Sequence, residues 1–306
     1  MENSLLSQYK FSPDIWDEMF DQNGIRPSYK KLVTTLENLS PEELGQKVEL
    51  AKKLFMSQGI TFTVYSSGEG IEKIFPFDII PRIIEASDWR IIEAGIKQRL
   101  KTLNIFLNDI YHNQFIIKDG IVPLKLIYSC PGFMRAMVNV NVPHEIYTHI
   151  SGIDLIRDEH GVFYVLEDNL RTPSGVSYML ENRGITYRIF PNILPKNNIR
   201  FVKNYPDLLL NNLVSLSNRQ TSSPTVVLLT PGVYNSAYFE HTTLARLMGI
   251  ELVEGKDLVV DNHRVYMKTT HGLKLVDVIY RRVDDEYLDP LVFIRDSILG
   301  VPGLYG

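Results

Sequence analysis

The chain has 306 residues, of which 44% are hydrophobic and 10% are aromatic, and its 32 basic and 36 acidic side chains leave a net charge of -4. This composition excludes a small disulfide scaffold and low-complexity disorder, and the charge argues against binding to nucleic acid. The sequence has no run of about eighteen apolar residues, and the single Cys130 cannot form an internal disulfide. We therefore expect a cytoplasmic protein with neither a membrane nor a nucleic-acid partner.

Residues 1–120 are predicted to form an α-rich N-terminal layer. A Ser-Pro-Glu-Glu sequence with the spacing of a capping box predicts a helix over 40–56, and alternating apolar residues predict a strand over 60–65. The Ser- and Gly-rich stretch at 66–70 is interpreted as a turn, because it lacks the ending of a Walker motif. An apolar stripe at helical spacing predicts a second helix over 87–110.

From residue 121 the pattern changes to short strands and turns. Residues 147–157 and 161–169 predict a hairpin that turns at an Asp-Glu-His-Gly sequence. A further helix is predicted to open at 178–183. The Ser-rich stretch at 217–224 is the best candidate for a linker, which sets one boundary at residue 216 and the next at residue 224.

After the linker, the pattern predicts a βαβ unit. The apolar run 225–229 is typical of a parallel strand buried on both faces. A helix over 240–248 with a glycine cap and a strand over 250–253 follow, and 276–280 is predicted to add a strand to the same sheet. The sequence stops at 301–306 without a closing helix or a charged tail, so we expect the last segment to be cut short.

The predicted hairpin carries the residues with the clearest chemistry. Glu167 and Asn169 share one face of a strand, and Asp154 on the partner strand would join them. Carboxylate and amide oxygens are ligands that Mg²⁺ prefers, and Mg²⁺ leaves positions open for phosphate oxygens. The alternative is an ordinary solvated hairpin. The apolar run 162–166 argues against it, because a carboxylate at the end of a core strand is costly unless it is paired.

The residues that follow the hairpin could contact phosphate and substrate. A Mg²⁺ site that leaves positions open for phosphate implies a nucleoside triphosphate as partner, and Arg171 presents a fork of donors suited to phosphate oxygens. Pro173, Ser174 and Gly175 form a tight turn whose backbone amides could face a substrate.

The spacing of Asp154, Glu167 and Asn169 resembles the metal-binding end of ATP-grasp carboxylate–amine ligases. Wider similarity covers nearly the whole chain and points to the circularly permuted ATP-grasp family, sometimes labelled glutathionylspermidine-synthase-like. The matching segments are 131–135, 173–175, 180–183, 229–232, 240–241, 252–255, 281–285 and 289–291.

The resemblance implies an α/β (α+β) fold with a permuted order: an ATP-grasp metal-binding core over 121–216 precedes a Rossmann-like pre-ATP-grasp unit over 224–306. It assigns Asp154, Glu167 and Asn169 to Mg²⁺, and it places Arg171, Ser174 and Gly175 at the acyl-phosphate as catalytic residues. Further nucleotide and substrate contacts are expected from Arg135, Arg171, Arg281, Arg282, Asn235, Glu240 and His241.

The implied reaction is ATP- and Mg²⁺-dependent amide formation between a small carboxylate and an amine, with peptides or polyamines as candidate substrates. Three alternatives stay open: a non-catalytic ATP-grasp-like binding or scaffold protein, a fragment that lacks the nucleotide lid, and a kinase on the same fold. Several ligases of this fold carry Arg where this chain has Gly152, and Arg157 or Arg135 is the candidate replacement.

Overall fold

The computed structural model describes residues 6, 9–66, 69–192, 198–219, 221 and 223–306, except for the side chains of 63–66 and 69–72. Parts of the predicted turn at 66–70 and of the predicted linker at 217–224 therefore lie outside the described residues.

The chain has mixed helix and strand content, as the predicted α+β class requires. The helices are α1 (Lys30–Glu37), α2 (Pro41–Ser57), α3 (Ala86–Tyr111), α4 (Phe115–Lys118), α5 (Leu124–Tyr128), α6 (Val176–Ile189), α7 (Tyr205–Ser215) and α8 (Tyr238–Met248). The strands are β1 (Phe20–Asp21), β2 (Gly24–Ile25), β3 (Thr61–Ser66), β4 (Glu69–Ile74), β5 (Gly152–Arg157), β6 (Phe163–Asn169), β7 (Val226–Leu229), β8 (Glu251–Val253), β9 (Leu258–Asp261), β10 (Arg264–Thr269), β11 (Gly272–Leu275) and β12 (Val278–Arg281).

The described residues fall into two compact units. Unit 1 comprises the described residues within Met1–Phe11, Met19–Arg82 and Ser174–Gly306, and unit 2 comprises Ser12–Glu18 and Ile83–Pro173. The chain is thus grouped differently from the three predicted segments. The physical reason is that α2 packs with α6 in unit 1, whereas α3 belongs with the β5–β6 hairpin.

The two long N-terminal helices form where the sequence predicts them. At the start of α2, Ser40 Oγ accepts the N–H of Glu43 (3.1 Å), and the Glu43 carboxylate accepts the N–H of Ser40 (2.8 Å), which completes the capping box. The second predicted helix is α3, and it extends one residue beyond the predicted stripe at each end.

Unit 1 contains the predicted βαβ unit. Strand β7 lies in the centre of a parallel sheet, between β12 and β8, and α8 connects β7 to β8. Gly249 ends α8 with a φ of 68°, a left-handed conformation that favours glycine. The antiparallel strands β9, β10 and β11, which the sequence analysis did not predict, follow β8. Their Leu258 and Met267 join the core built on β7.

Unit 2 contains the predicted hairpin, in which β5 and β6 pair antiparallel. In the part of the chain that the structure describes, no helix is both long enough and apolar enough to cross a membrane.

The segment that follows residue 300 is held by one buried carboxylate. Asp289 is fully buried, and its oxygens accept the N–H groups of Leu291 (2.9 Å), Gly303 (3.1 Å) and Tyr305 (2.9 Å). Burial alone would raise the pKa of Asp289, but the three N–H groups favour the charged form and lower the pKa below its usual value. Gly300 allows this segment to lie against the backbone at Tyr287, because a Cβ at position 300 would lie 2.1 Å from the Tyr287 carbonyl oxygen.

We predict that Asp289→Asn lowers the free energy of unfolding by about 2 kcal/mol at pH 7, because it removes a charged acceptor from three N–H groups. A lowered folded-state pKa stabilises the fold above the unfolded pKa of about 3.9, and this stabilisation is lost as the pH falls through the folded value. In urea denaturation, the difference in free energy of unfolding between the wild type and Asp289→Asn should therefore be smaller at pH 3.5 than at pH 7. Asp284→Asn, at an exposed position nearby, is the control, and an equal loss in both variants would contradict the assignment.

Candidate functional site

The hairpin brings the three predicted metal ligands to one face. Asp154 lies directly opposite Glu167, and Asn169 lies opposite Gly152, two residues along each strand. Direct cross-strand neighbours share a face, and their Cβ atoms are about 5 Å apart. Both carboxylate side chains are exposed. Neither has a hydrogen-bond or ion-pair partner among the residues that the structure describes, so two like charges face each other directly.

The opposite face of the hairpin is bound to α3 by two ion pairs. Asp168 accepts two hydrogen bonds from Arg99 (2.8 and 2.5 Å), and Arg157 lies 3.0 Å from Asp88. The hydrogen bonds from Arg99 hold the pKa of Asp168 below its usual value. Neighbouring residues of a strand point to opposite faces. Because Asp168 of β6 faces α3, its neighbours Glu167 and Asn169 point away from α3. Asp168 was not among the predicted site residues, although its position between the two predicted ligands places it on the other face of the strand.

The apolar run before Glu167 is not a core strand, which corrects the sequence analysis. Val162, Tyr164 and Leu166 have exposed fractions of 48%, 51% and 66%. The reason is that this is a two-stranded hairpin, and its other face is connected to α3 by the Arg99–Asp168 and Arg157–Asp88 ion pairs. Burial therefore does not exclude an ordinary solvated hairpin, and the opposed carboxylates of Asp154 and Glu167 are the feature that favours a cation.

The chemistry of the donors fits Mg²⁺, since two carboxylates and an amide oxygen are hard ligands. Within the described ranges, no group of three His, Cys, Asp or Glu side chains is arranged to hold a metal ion. A cation at the hairpin would therefore need the Asn169 amide oxygen as a third protein ligand.

An arginine at position 152 would require Pro173 to shift by a few tenths of an ångström. A Cβ on Gly152 would lie 3.0 Å from the Cβ of Pro173, closer than ordinary van der Waals contact. Arg157 is not a replacement. Its guanidinium binds Asp88 and stacks 4.1 Å from the centre of the Trp16 ring. Arg135 is exposed in a short 3₁₀ segment of unit 2, and Arg171 is exposed on the turn after β6.

In unit 1, Glu240 anchors the turn that precedes α6. Its Oε2 accepts the N–H of Gly175 (2.7 Å) and of Ser177 (3.0 Å), and its Oε1 lies 3.3 Å from Arg282 Nη2. The Arg282 Nη2 also donates to Ser174 Oγ (2.6 Å). The Gly175 N–H that the sequence analysis offered to a substrate oxygen is thus engaged with Glu240, and Ser174 Oγ is engaged with Arg282.

Glu240 and His241 are not placed as the predicted substrate contacts, because their side chains are 0% and 1% exposed and have internal partners. His241 Nδ1 lies 2.8 Å from Thr230 Oγ1, whose oxygen also accepts the N–H of Gly232. Burial, followed by the charge of Arg282, lowers the pKa of His241 to about 3, so its imidazole is neutral at pH 7. Glu240 binds residues that lie 42 to 65 positions away along the chain, whereas His241 binds Thr230, which lies 11 positions before it.

The remaining predicted contacts are separate from this buried group. Arg281 donates to the Val283 carbonyl (2.7 Å) and to Asp285, so it serves the local loop. Asn235 lines a cavity of about 680 Å³ in unit 1. The structure therefore places the metal candidates in unit 2, the Glu240 group in unit 1, and Asn235 at a cavity of unit 1.

Comparisons with known proteins agree with the resemblance that the motifs indicate. A family model described as a circularly permuted ATP-grasp matches residues 81–306. An uncharacterized protein of Synechocystis sp. is 50% identical over 292 residues, which is 95% of this chain and 61% of that protein. An uncharacterized protein of Mycobacterium tuberculosis is 50% identical over 290 residues, covering 94% of this chain and 52% of its own length. The chain therefore spans between half and two thirds of these relatives.

Two further comparisons concern named proteins. A protein of Frankia casuarinae, named as a candidate glutamate–cysteine ligase, is 37% identical over 296 residues, which is 96% of this chain and 34% of that protein. Among solved structures, a glutathione synthetase-like effector from Globodera pallida has a TM-score of 0.53 at 14% identity, and it covers 87% of this chain and 62% of its own. At this identity the likeness supports the fold alone.

We predict that Glu240→Gln lowers the free energy of unfolding by about 3 kcal/mol, because it leaves the buried Arg282 charge without its counterion. Glu251→Gln, at an exposed position on β8, removes the same charge and should change stability by less than about 0.5 kcal/mol. Urea denaturation followed by circular dichroism measures both. Equal stability of the two variants would show that the Glu240–Arg282 pair does not hold the fold.

Proposed function

Because this chain belongs to the circularly permuted ATP-grasp family, we propose that it forms the metal-binding part of an ATP- and Mg²⁺-dependent ligase that joins a carboxylate to an amine. The observation that carries the proposal is the direct opposition of Asp154 and Glu167, with Asn169 on the same open face. Two like charges opposite each other destabilise a hairpin unless a cation lies between them. The names of relatives such as the Frankia ligase candidate support the reaction class.

The residues that would hold Mg²⁺ are Asp154, Glu167 and Asn169. A Mg²⁺ ion bound there would neutralise negative charge on the phosphate oxygens of ATP. Arg171, exposed on the turn after β6, supplies a second positive charge for those oxygens. The ion pair between Arg99 and Asp168 keeps the hairpin on α3, so the ligand face stays open.

The proposed chemistry has two steps. An oxygen of the substrate carboxylate attacks the γ-phosphorus of ATP, and the bond to ADP breaks, which leaves an acyl-phosphate. The amine nitrogen then attacks the acyl carbon, loses a proton, and phosphate departs. No protein nucleophile takes part. We assign Ser174 and Gly175 a positioning role, because Arg282 and Glu240 hold them.

The substrates of the proposed reaction are a small-molecule carboxylate and an amine, with peptides and polyamines as the first to examine. The proposed compartment is the cytoplasm, which suits the exposed free thiol of Cys130. Hydroxylamine added to a reaction with ATP would trap an acyl-phosphate as a hydroxamate. This product distinguishes the ligase from a kinase whose phosphorylated product is stable.

We predict that Glu167→Gln weakens the binding of Mn²⁺, used as a Mg²⁺ substitute, by about tenfold or more, because it removes one of two charged ligands. Titration calorimetry with and without ATP measures the affinity. Glu159→Gln, an exposed carboxylate at the turn of the same hairpin, is the matched control and should bind like the wild type. In metal-free buffer, the Glu167 variant should be at least as stable as the wild type, since the repulsion from Asp154 is gone. Unchanged Mn²⁺ affinity would contradict the site.

A further inference from the structure

A cavity of about 680 Å³ lies within unit 1, beside α8. Its volume is in the range of about 300 to 1,000 Å³ that is typical of small-molecule sites. None of the metal candidates, which belong to unit 2, lines it. Of the predicted substrate contacts, Asn235 alone lines it.

One face of α8 forms a wall of the cavity. Tyr238, Thr242 and Arg246 follow each other at a spacing of four residues, which places them on the same side of the helix. The side chains of Glu240, His241 and Leu244 lie on the buried side. From Tyr238 to Arg246 the wall is roughly 12 Å long, at 1.5 Å per residue. Because the other side of α8 is fixed by the buried network, this wall is held in place.

The cavity carries a positive group on this wall. Arg246 is exposed, and it has no carboxylate within ion-pair distance among the residues that the structure describes. Asn235 adds further donors. Its Oδ1 accepts the N–H of Ala237 (2.9 Å), which leaves the Nδ2 hydrogens without a partner in the described part of the chain. A guanidinium and an amide N–H₂ are the donors that recognise a carboxylate.

A negative group lies in the same cavity. With the Gln58 amide oriented to satisfy both of its neighbours, Gln58 Nε2 donates to Glu181 Oε2 (3.1 Å), and Gln58 Oε1 accepts from Arg188 Nη1 (2.6 Å). Glu181 lines the cavity and has no ion-pair partner among the described residues, and its Oε1 has no hydrogen-bond partner among them. The side chains of Phe62 and Phe239 supply apolar surface in the same cavity.

We propose that this cavity binds a small molecule that carries a carboxylate and an ammonium group, with Arg246 and Asn235 on the carboxylate and Glu181 on the ammonium. The inference goes beyond the ligase assignment, because it uses residues of unit 1 alone and requires neither ATP nor metal. If the ligase assignment also holds, such a molecule has the two groups that the reaction joins.

The test uses the full chain without nucleotide or divalent cation, so that its outcome is independent of the hairpin site. The probes are glycine, 4-aminobutyrate and 6-aminohexanoate, which separate the two charges by increasing lengths, and hexanoate and hexylamine, which carry one charge each. Saturation-transfer difference NMR detects binding, and calorimetry measures affinity. We expect one of the longer amino acids to bind at least about tenfold more tightly than either singly charged probe.

Variants of the cavity residues test which side chain binds the carboxylate and which binds the ammonium group. Arg246→Gln and Glu181→Gln should each lower the affinity for the preferred amino acid by about tenfold. Arg246→Gln should not change the affinity for hexylamine. The matched controls are Arg264→Gln and Glu251→Gln, at exposed positions of unit 1 outside the cavity, which should bind like the wild type. The thermal midpoint of each variant reports on folding. The proposal is overturned if no amino acid binds, if the singly charged probes bind equally well, or if folded Arg246 and Glu181 variants retain full affinity.

Discussion

The buried pair of Glu240 and Arg282 is the interaction on which unit 1 depends. Burying two charges is costly, and the cost is offset only when each charge is also hydrogen-bonded. Glu240 meets this condition through the N–H groups of Gly175 and Ser177, and Arg282 binds Ser174. One carboxylate therefore joins α8, the start of α6 and the end of β12. The turn at 174–175, the parallel sheet and the cavity wall on α8 share this anchor.

Helix α8 shows why a pattern of residues predicts an element better than it predicts a role. Its end at Met248, its glycine cap and the strands on both sides follow from local sequence, and the structure confirms them, although the helix begins at Tyr238, two residues before the predicted start. The roles of Glu240 and His241 do not, because a Glu-His pair at a helix start is normally solvated. Glu240 is held by Arg282 and by the turn before α6, which are distant in sequence, whereas His241 binds Thr230, 11 residues before it. In the same helix, the spacing of Tyr238, Thr242 and Arg246 is a local signal that predicts a shared face.

The hairpin shows the same limit in unit 2. The turn sequence and the alternation of residues predict its strands, and this local pattern is enough to bring Asp154 near Glu167. The partner of the opposite face could not be predicted, since Arg99 lies 69 residues from Asp168. Nor does the local pattern indicate that the apolar residues of β6 are exposed. An apolar run is compatible with a core strand and with an open hairpin, and only tertiary packing separates the two.

The most direct test of cation binding at the hairpin is a map of the paramagnetic broadening that substoichiometric Mn²⁺ causes in the backbone amide NMR signals. A cation held by the opposed carboxylates lies closest to the amides of 152–154 and 167–169, so these signals should broaden first. Competition with excess Mg²⁺ should restore them. Strongest broadening elsewhere, for example at the exposed Asp261 and Asn262, with the hairpin signals unchanged, would contradict a metal site on this face.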